Sequence, residues 1–248
     1  MILVLGGTRE SRGIIKELAN LEEEVIASVA TDYSYRLISD LKVEIIRGAL
    51  EKEGLIDLIK TKNINMIIDA THPFANRISE LAIKVSNLLD IDYLRFETKD
   101  LKINNDLITK VDSYEEAIES VKDFGKISLM IKQGRISDFM NQIENWQERL
   151  FCFTLPTWKI IKEIEEMGMP AENLIAIAKP IGKQLAKAIL KEYNISALVI
   201  KDCGKQQVFE SKIKAAIELE IPVILITRSE LETDNIVRES QSMLRLVN

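Results

Sequence analysis

The sequence predicts an α/β protein built of two Rossmann-like domains, each a mainly parallel sheet flanked by helices. Short apolar, β-branched runs alternate with longer amphipathic stretches along the whole chain, the pattern of βαβ units. The apolar runs are hydrophobic on both faces, as strands covered by helices on both sides are. They number ten to eleven, more than one doubly wound sheet usually holds.

In the first part, strands are expected over residues 2–5, 25–29, 43–46, 66–69 and 93–96, and helices over 10–20, 55–61 and 76–89. The last helix carries Ile78, Leu81, Ala82, Val85, Leu88 and Leu89 at helical spacing. Asn104-Asn105-Asp106 reads as a linker or turn. Beyond it, strands are expected over 107–111, 127–131, 151–154, 174–178, 198–201 and 223–227. Helices are expected near 114–121, 159–167, 181–193 and 211–219. The first domain is therefore placed at 1–98 and the second at 99–248, with a tail that ends in a helix and docks on either domain.

Composition narrows the function. The chain has 248 residues, 46% hydrophobic and 29% charged, with a net charge of −6, the profile of a globular protein large enough to bury its own core. General attraction to nucleic acid or to an anionic membrane is not expected at this charge. The two cysteines, Cys152 and Cys203, lack ligand-like spacing and read as reduced thiols. His72 is the one histidine, which excludes a zinc site of several histidines; no metal is expected. No apolar window is long enough to span a bilayer, and the opening run has no basic flank. A cytoplasmic protein is the expectation.

Gly6-Gly7-Thr8-Arg9-Glu10 follows the first strand and opens the first helix. In an open α/β sheet a dinucleotide pyrophosphate sits at this turn. Glycines there let backbone N–H groups and the helix N-terminus approach phosphate. Thr8 offers a hydroxyl, and Arg9 or Arg12 a cation. The full G-x-G-x-x-G fingerprint is absent, although Gly13 lies further along, and a plain strand-to-helix turn would also use the pair. At the end of the second strand, Asp32 suits a ribose 2′-hydroxyl, whereas Thr31 with Arg36 suits a 2′-phosphate. Both readings, and a solvated loop, stay open.

The fourth strand ends Asp69-Ala70-Thr71-His72-Pro73-Phe74-Ala75-Asn76. Asp69, Thr71 and His72 thus fall at the carboxyl end of a buried strand, where such sheets place their ligand crevice. Basic residues recur at strand ends: Arg95, Lys132 and Arg135, Lys201, and Arg228. In a parallel sheet these ends share one edge, so the cations suit a polyanion. Gly134 reads as a turn glycine that permits close backbone approach. Trp146 and Trp158 read as packing residues.

Gly6-Gly7-Thr8-x-Glu10, together with Asp69-Ala70-Thr71-His72-Pro73-Phe74-Ala75, resembles the precorrin-6A reductase family. Lys201-Asp202-x-Gly204 resembles that family's Lys-Asp/Asn-Ser-Gly-Gly loop, and residues 212–228 resemble its last helix and strand. The sequence departs at Lys179, Cys203, Lys205 and Ser229. The resemblance implies NAD(P)H-dependent reduction of a ring double bond of precorrin-6A or cobalt-precorrin-6A in corrin biosynthesis. It implies Gly6, Gly7, Thr8, Arg9, Glu10, Thr31, Arg36, Asp69 and Thr71 about NADPH or NADH. With it, the strand-end residues Arg95, Lys132, Gly134, Arg135, Lys201, Gly204 and Arg228 are expected about a tetrapyrrole polycarboxylate, a convergence read from the pattern and independent of the family. His72 or Asp202 is then the candidate proton donor, with ring nitrogens and solvent the alternative. Two other readings remain: a reductase of a different polyanion, and a non-catalytic dinucleotide sensor.

Overall fold

The structure, a computed structural model, describes residues 1–98, 103–178, 181–202, 207–227, 231, 233, 235–239 and 243. The chain divides into two compact units, Met1–Lys99 with Ser229–Asn248, and Asp100–Arg228.

The first unit runs β1 (Ile2–Leu5), α1 (Arg9–Asn20), β2 (Val25–Val29), α2 (Asp32–Ile38), β3 (Glu44–Arg47), α3 (Lys52–Lys62), β4 (Met66–Asp69), α4 (Asn76–Leu89) and β5 (Asp92–Phe96). All strands pair in parallel, in the order β3-β2-β1-β4-β5, and a short strand from the tail, Ile236–Val237, adds to the β5 edge. Alternation along the strands divides the core. Val4, Ala27, Ile68 and Leu94 face Ile14, Ile15 and Leu18 of α1, whereas Leu3, Ile26, Ile67 and Tyr93 face Leu55 and Ile59 of α3 and Ala82 and Val85 of α4. The stretch at 32–36, which the sequence left open to a loop reading, is helical. Thr31 caps it, its Oγ1 accepting from Ser34 N at 3.1 Å. The tail's described residues hold the short strand Ile236–Val237 and, further on, Met243 in helical conformation, its N–H donating to the Glu239 carbonyl at 3.1 Å.

The second unit runs β6 (Ile108–Val111), α5 (Tyr114–Val121), β7 (Lys126–Met130), a 3-10 turn at Gln133–Arg135, α6 (Ile136–Met140), α7 (Trp146–Arg149), β8 (Leu150–Thr154), α8 (Trp158–Glu166), β9 (Leu174–Ala176), α9 (Lys183–Glu192), β10 (Ile195–Lys201), α10 (Gln207–Ile217) and β11 (Val223–Ile226). Its sheet is again all parallel, in the order β6-β11-β10-β7-β8-β9. The tail strand at Ile236–Val237 is β12.

Cys152 lies buried in β8, and burial pushes its thiol up to about 12, which keeps it protonated. Ser128 is fully buried in β7, and its Oγ has no hydrogen-bond partner among the described residues. A buried hydroxyl left unpaired costs about 1–3 kcal/mol. Ser128→Ala is therefore expected to stabilise the protein by about 1 kcal/mol, seen as a rise in Tm of about 2–4 °C. A fall in Tm would show that the hydroxyl is bonded after all. Among the described residues, no helix is long and apolar enough to cross a membrane.

Candidate functional site

In the first unit the chain passes from β1 outward to β2 and β3, then returns to place β4 on the other side of β1. The strand order reverses between β1 and β4, and open α/β sheets bind ligands outside the carboxyl ends at such a point. The two strands end in register, Leu5 opposite Asp69. Residues 6–8 therefore face residues 70–72 across the switch point, and Thr8 Oγ1 ties the sides by donating to the Ala70 carbonyl at 3.3 Å.

The glycine turn is tightly braced. Gly7 holds φ at +132°, and a Cβ there would lie 2.9 Å from Ser34 Oγ. At Gly6 a Cβ would meet Ser11 Oγ at 3.0 Å. Ser11 Oγ accepts from the N–H groups of both Gly7 and Thr8 at 3.0 Å, and Thr8 Oγ1 accepts from Ser11 N at 3.0 Å. This is a reciprocal cap, and Thr8-x-x-Ser11 was its sequence signal. Ser11 and Ser34 were not singled out from sequence. The Thr8 hydroxyl accepts in the cap and donates to Ala70, and so braces the turn. The first-turn N–H groups of Arg9 and Glu10 have no acceptor among the described residues. These two donors and the positive helix end fit an anion, and the absence of a Cβ at Gly6 and Gly7 lets the turn pack against Ser11 and Ser34. Arg9 is exposed. Arg12 is corrected as well: its guanidinium is engaged by Asp40, Nη2 to Oδ2 at 2.7 Å. Gly13 is exposed, and a Cβ there would meet nothing.

At the end of β2, Asp32 pairs with Arg47 at 2.8 Å, and the Arg47 guanidinium lies 4.0 Å from the centroid of the Tyr35 ring. Thr31 Oγ1 donates to Ser34 Oγ at 2.9 Å, and Arg36 is exposed in the last turn of α2.

Three residues expected at ligand contacts, Asp69, Thr71 and Arg95, are bonded to one another inside the first unit. Asp69 and Arg95 are register partners on β4 and β5, 0% and 1% exposed, with Arg95 Nη1 2.7 Å from Asp69 Oδ1. Tyr93, two residues before Arg95 on the same face, donates its hydroxyl to Asp69 Oδ2 at 2.9 Å. Thr71 donates to Asp69 Oδ1 through both its N–H (3.0 Å) and its Oγ1 (2.7 Å). Arg95 Nη1 donates in turn to Thr71 Oγ1 at 3.0 Å and Ser79 Oγ at 3.3 Å, and its Nε reaches Glu97 at 3.4 Å. Buried charges persist only when paired and hydrogen-bonded in this way. Burial and the Asp69 carboxylate push the Tyr93 phenol far up, which keeps it a neutral donor. Arg95, expected about the substrate, and Asp69 and Thr71, expected about the cofactor, are thus bonded to one another within the first unit, and Asp69 and Thr71 form the base of the turn that carries His72. The signal lay in the sequence: Tyr93, Arg95 and Glu97 alternate with Leu94 and Phe96.

The Asp69–Thr71 bond is an Asx-turn that bends the chain off β4. The next turn is closed by Ala75 N donating to the His72 carbonyl at 2.8 Å, and Phe74 N donates to His72 Nδ1 at 3.2 Å. His72 is half-buried and follows Thr71 beyond the carboxyl end of β4.

In the second unit the order reverses between β7 and β10. Lys132, Gly134 and Arg135 follow β7, and Lys201 and Asp202 end β10, so these five residues share one switch point. Lys132 and Gly134 are exposed. Arg135 is held by Glu115 at 3.0 Å and Asp138 at 2.8 Å, and lies 4.3 Å over the Tyr114 ring. Gly204 and Arg228, with Lys179, Cys203, Lys205 and Ser229, lie outside the described residues. Trp158, expected to pack, is 75% exposed, with Lys162 Nζ 5.3 Å from its ring centroid.

Two doubly wound sheets, the first with a glycine turn braced against a polar turn at its switch point, define the class of α/β oxidoreductases. The whole chain, residues 1–248, matches the family described as precorrin-6x reductase CbiJ/CobK. The chain belongs to that family, oxidoreductases that reduce a ring double bond in cobalamin biosynthesis. It is 31% identical to a cobalt-precorrin-6A reductase of Priestia megaterium, over 94% of this chain and 92% of that one. It is likewise 31% identical to a cobalt-precorrin-6A reductase of Methanocaldococcus jannaschii, over 93% and 91%. Its fold is similar to the solved structure of CobK precorrin-6A reductase, with a TM-score of 0.80, 23% identity and coverage of 99% and 95%.

Proposed function

We propose that this protein is a cytoplasmic, NADPH-dependent reductase of cobalt-precorrin-6A. The observation that carries the reading is the braced Gly6-Gly7 turn facing the Thr71-His72 turn across the β1/β4 switch point. The cobalt-containing substrate is supported by the two relatives at 31% identity, both cobalt-precorrin-6A reductases. NADPH is favoured over NADH because Asp32, the acidic residue suited to a ribose hydroxyl, is already paired with Arg47. Arg36 and Arg47 together then outweigh it beside a 2′-phosphate.

When bound, the dinucleotide supplies a hydride to one ring carbon; a proton completes the other, and the macrocycle gains two electrons and two hydrogens. The chain's residues bind and orient. The N–H groups of Arg9 and Glu10 hold phosphate at the helix N-terminus that the Gly6-Gly7 turn opens. In the second unit, Lys132 and Lys201 gather the macrocycle's carboxylates, and Asp202 stands at the same strand end.

The test is an anaerobic assay with cobalt-precorrin-6A and precorrin-6A, each with NADPH or NADH, following nicotinamide absorbance and product mass. Gain of two hydrogens on the cobalt substrate with NADPH is expected; no turnover with any combination would sink the reading. Replacing Lys132 and Arg135 together by alanine is expected to raise KM for the tetrapyrrole about 3–5-fold, the scale of exposed ion pairs. A selective rise in the dinucleotide KM would reverse the assigned roles of the two units.

A further inference from the structure

Trp158 is placed where an indole has no packing role. It is 75% exposed, the most of any large hydrophobic side chain among the described residues, although tryptophan is highly buried on average. It opens α8, which leaves the carboxyl end of β8 after residues 155–157. β8 pairs in parallel with β7, so α8 starts on the same edge of the second sheet as the turn that follows β7. The helix packs beside that turn, Gln133–Arg135. Trp158 therefore stands one strand away from the β7/β10 switch point, where open α/β sheets take their ligands.

The charges around the indole favour one sign. Lys162, one helical turn on, has its Nζ 5.3 Å from the ring centroid. Its ion pair with Glu166, at 3.6 Å and on the surface, is weak. Lys159 and Lys132 are exposed, and the first turn of α8 carries no acidic residue. Helical side chains incline toward the helix N-terminus, which for Trp158 and Lys162 is the side of the sheet edge. A bare aromatic face beside ammonium groups is complementary to a flat ring fringed with carboxylates: the ring stacks on the indole and a carboxylate pairs with the lysine.

We infer that Trp158 is the stacking platform on which the second unit seats the tetrapyrrole, with Lys162 pairing one of its peripheral carboxylates. The inference rests on the proposed function, in which the tetrapyrrole is the ligand of this unit. Trp158 is a binding residue only; it fixes the plane of the macrocycle and transfers nothing.

The test has a binding arm and a kinetic arm. Uroporphyrin, a flat polycarboxylate, is titrated into wild type, Trp158→Ala and Trp158→Phe, with binding followed by calorimetry. Alanine is expected to weaken binding about 5–10-fold, the scale of one aromatic contact, and phenylalanine, which keeps a ring, by about twofold. The chain has two tryptophans, so Trp146→Phe leaves Trp158 as the one indole, and uroporphyrin is expected to quench its emission. Lys162→Gln is expected to weaken binding about 2–3-fold. In the reductase assay, Trp158→Ala should raise the KM for cobalt-precorrin-6A by the same about 5–10-fold, with kcat, the dinucleotide KM and Tm unchanged; a merely structural role would move these together.

Equal uroporphyrin affinity and equal tetrapyrrole KM in Trp158→Ala and wild type, in a wild type that binds and turns over, would overturn the inference and leave the proposed function intact. A wild type that neither binds uroporphyrin nor reduces cobalt-precorrin-6A would overturn both. Self-association in ultracentrifugation that Trp158→Ala abolishes, with tetrapyrrole affinity unchanged, would assign the indole to a second copy of the chain instead.

Discussion

Asp69→Ala is expected to destabilise the first unit by about 3–5 kcal/mol, the cost of leaving a buried charge without its partner. Arg95, 1% exposed, would keep only hydroxyl acceptors and Glu97 at 3.4 Å. The loss would consume a large part of the about 5–15 kcal/mol that holds a typical protein folded. Tyr93→Phe removes one hydrogen bond to Asp69 and is expected to cost about 0.5–1.5 kcal/mol. The double variant Asp69→Ala with Arg95→Met should recover most of the Asp69→Ala deficit, since no unpaired charge remains. Urea unfolding of the set checks this. An Asp69→Ala midpoint equal to that of wild type would mean that water reaches the pair. The double variant also separates folding from function: with stability restored, the Asx-turn under Thr71 is still missing, so catalytic efficiency should stay depressed.

Gly7→Ala is the second large effect. An L-residue at φ +132° is strained by about 1–3 kcal/mol, and its Cβ would press on Ser34 Oγ at 2.9 Å. Ser34 is fixed from below by Thr31, so the hydroxyl cannot yield without uncapping α2. The turn must shift instead, and with it the donors offered to phosphate. A rise in the dinucleotide KM of at least about tenfold is expected, equivalent to one lost charge-assisted bond. Gly13→Ala is the control. It sits exposed in the same helix with open space around a Cβ, and helix propensity predicts a gain of up to about 1 kcal/mol. Equal KM values for the two variants would show that the turn does not meet the dinucleotide.

The strands were the most legible part of this chain. β1, β2 and β4 are found at the residues the apolar runs marked, because buried parallel strands are apolar on both faces. α2 was harder to read. Seven residues with three hydroxyl-bearing side chains among the first four carry little periodicity, and only Thr31 and Asp32 announce a helix start. β12 could not be read at all, since two residues form a strand only because β5 offers them an edge. Strand order was equally hidden. Nothing local says that β6 lies beside β11, more than 100 residues away, because long-range pairing is decided by tertiary packing.

At the candidate site, the glycine turn and the His72 turn were visible as motifs, but their internal economy was not. Arg95 looked like a ligand cation because a basic residue at a strand end usually faces solvent. Its register with Asp69 required the β4/β5 pairing to be known. Trp158, for which packing in the core or on the surface was expected, lies on the surface with Lys162 over its ring.

The β12 pairing also orders events in time. Arg95 N donates to the Asn235 carbonyl at 2.8 Å and Glu97 N to the Val237 carbonyl at 2.9 Å, so the first sheet takes its last strand from a segment that follows the second unit. A ribosome that has released residues 1–98 has made five of the six strands, with the β5 edge bare. The whole of the second unit is then synthesised before the sixth arrives. Exposed strand edges invite pairing with other chains, so the nascent first unit carries that hazard until residues 236–237 have been made. A gene fragment ending after β5 inherits it permanently.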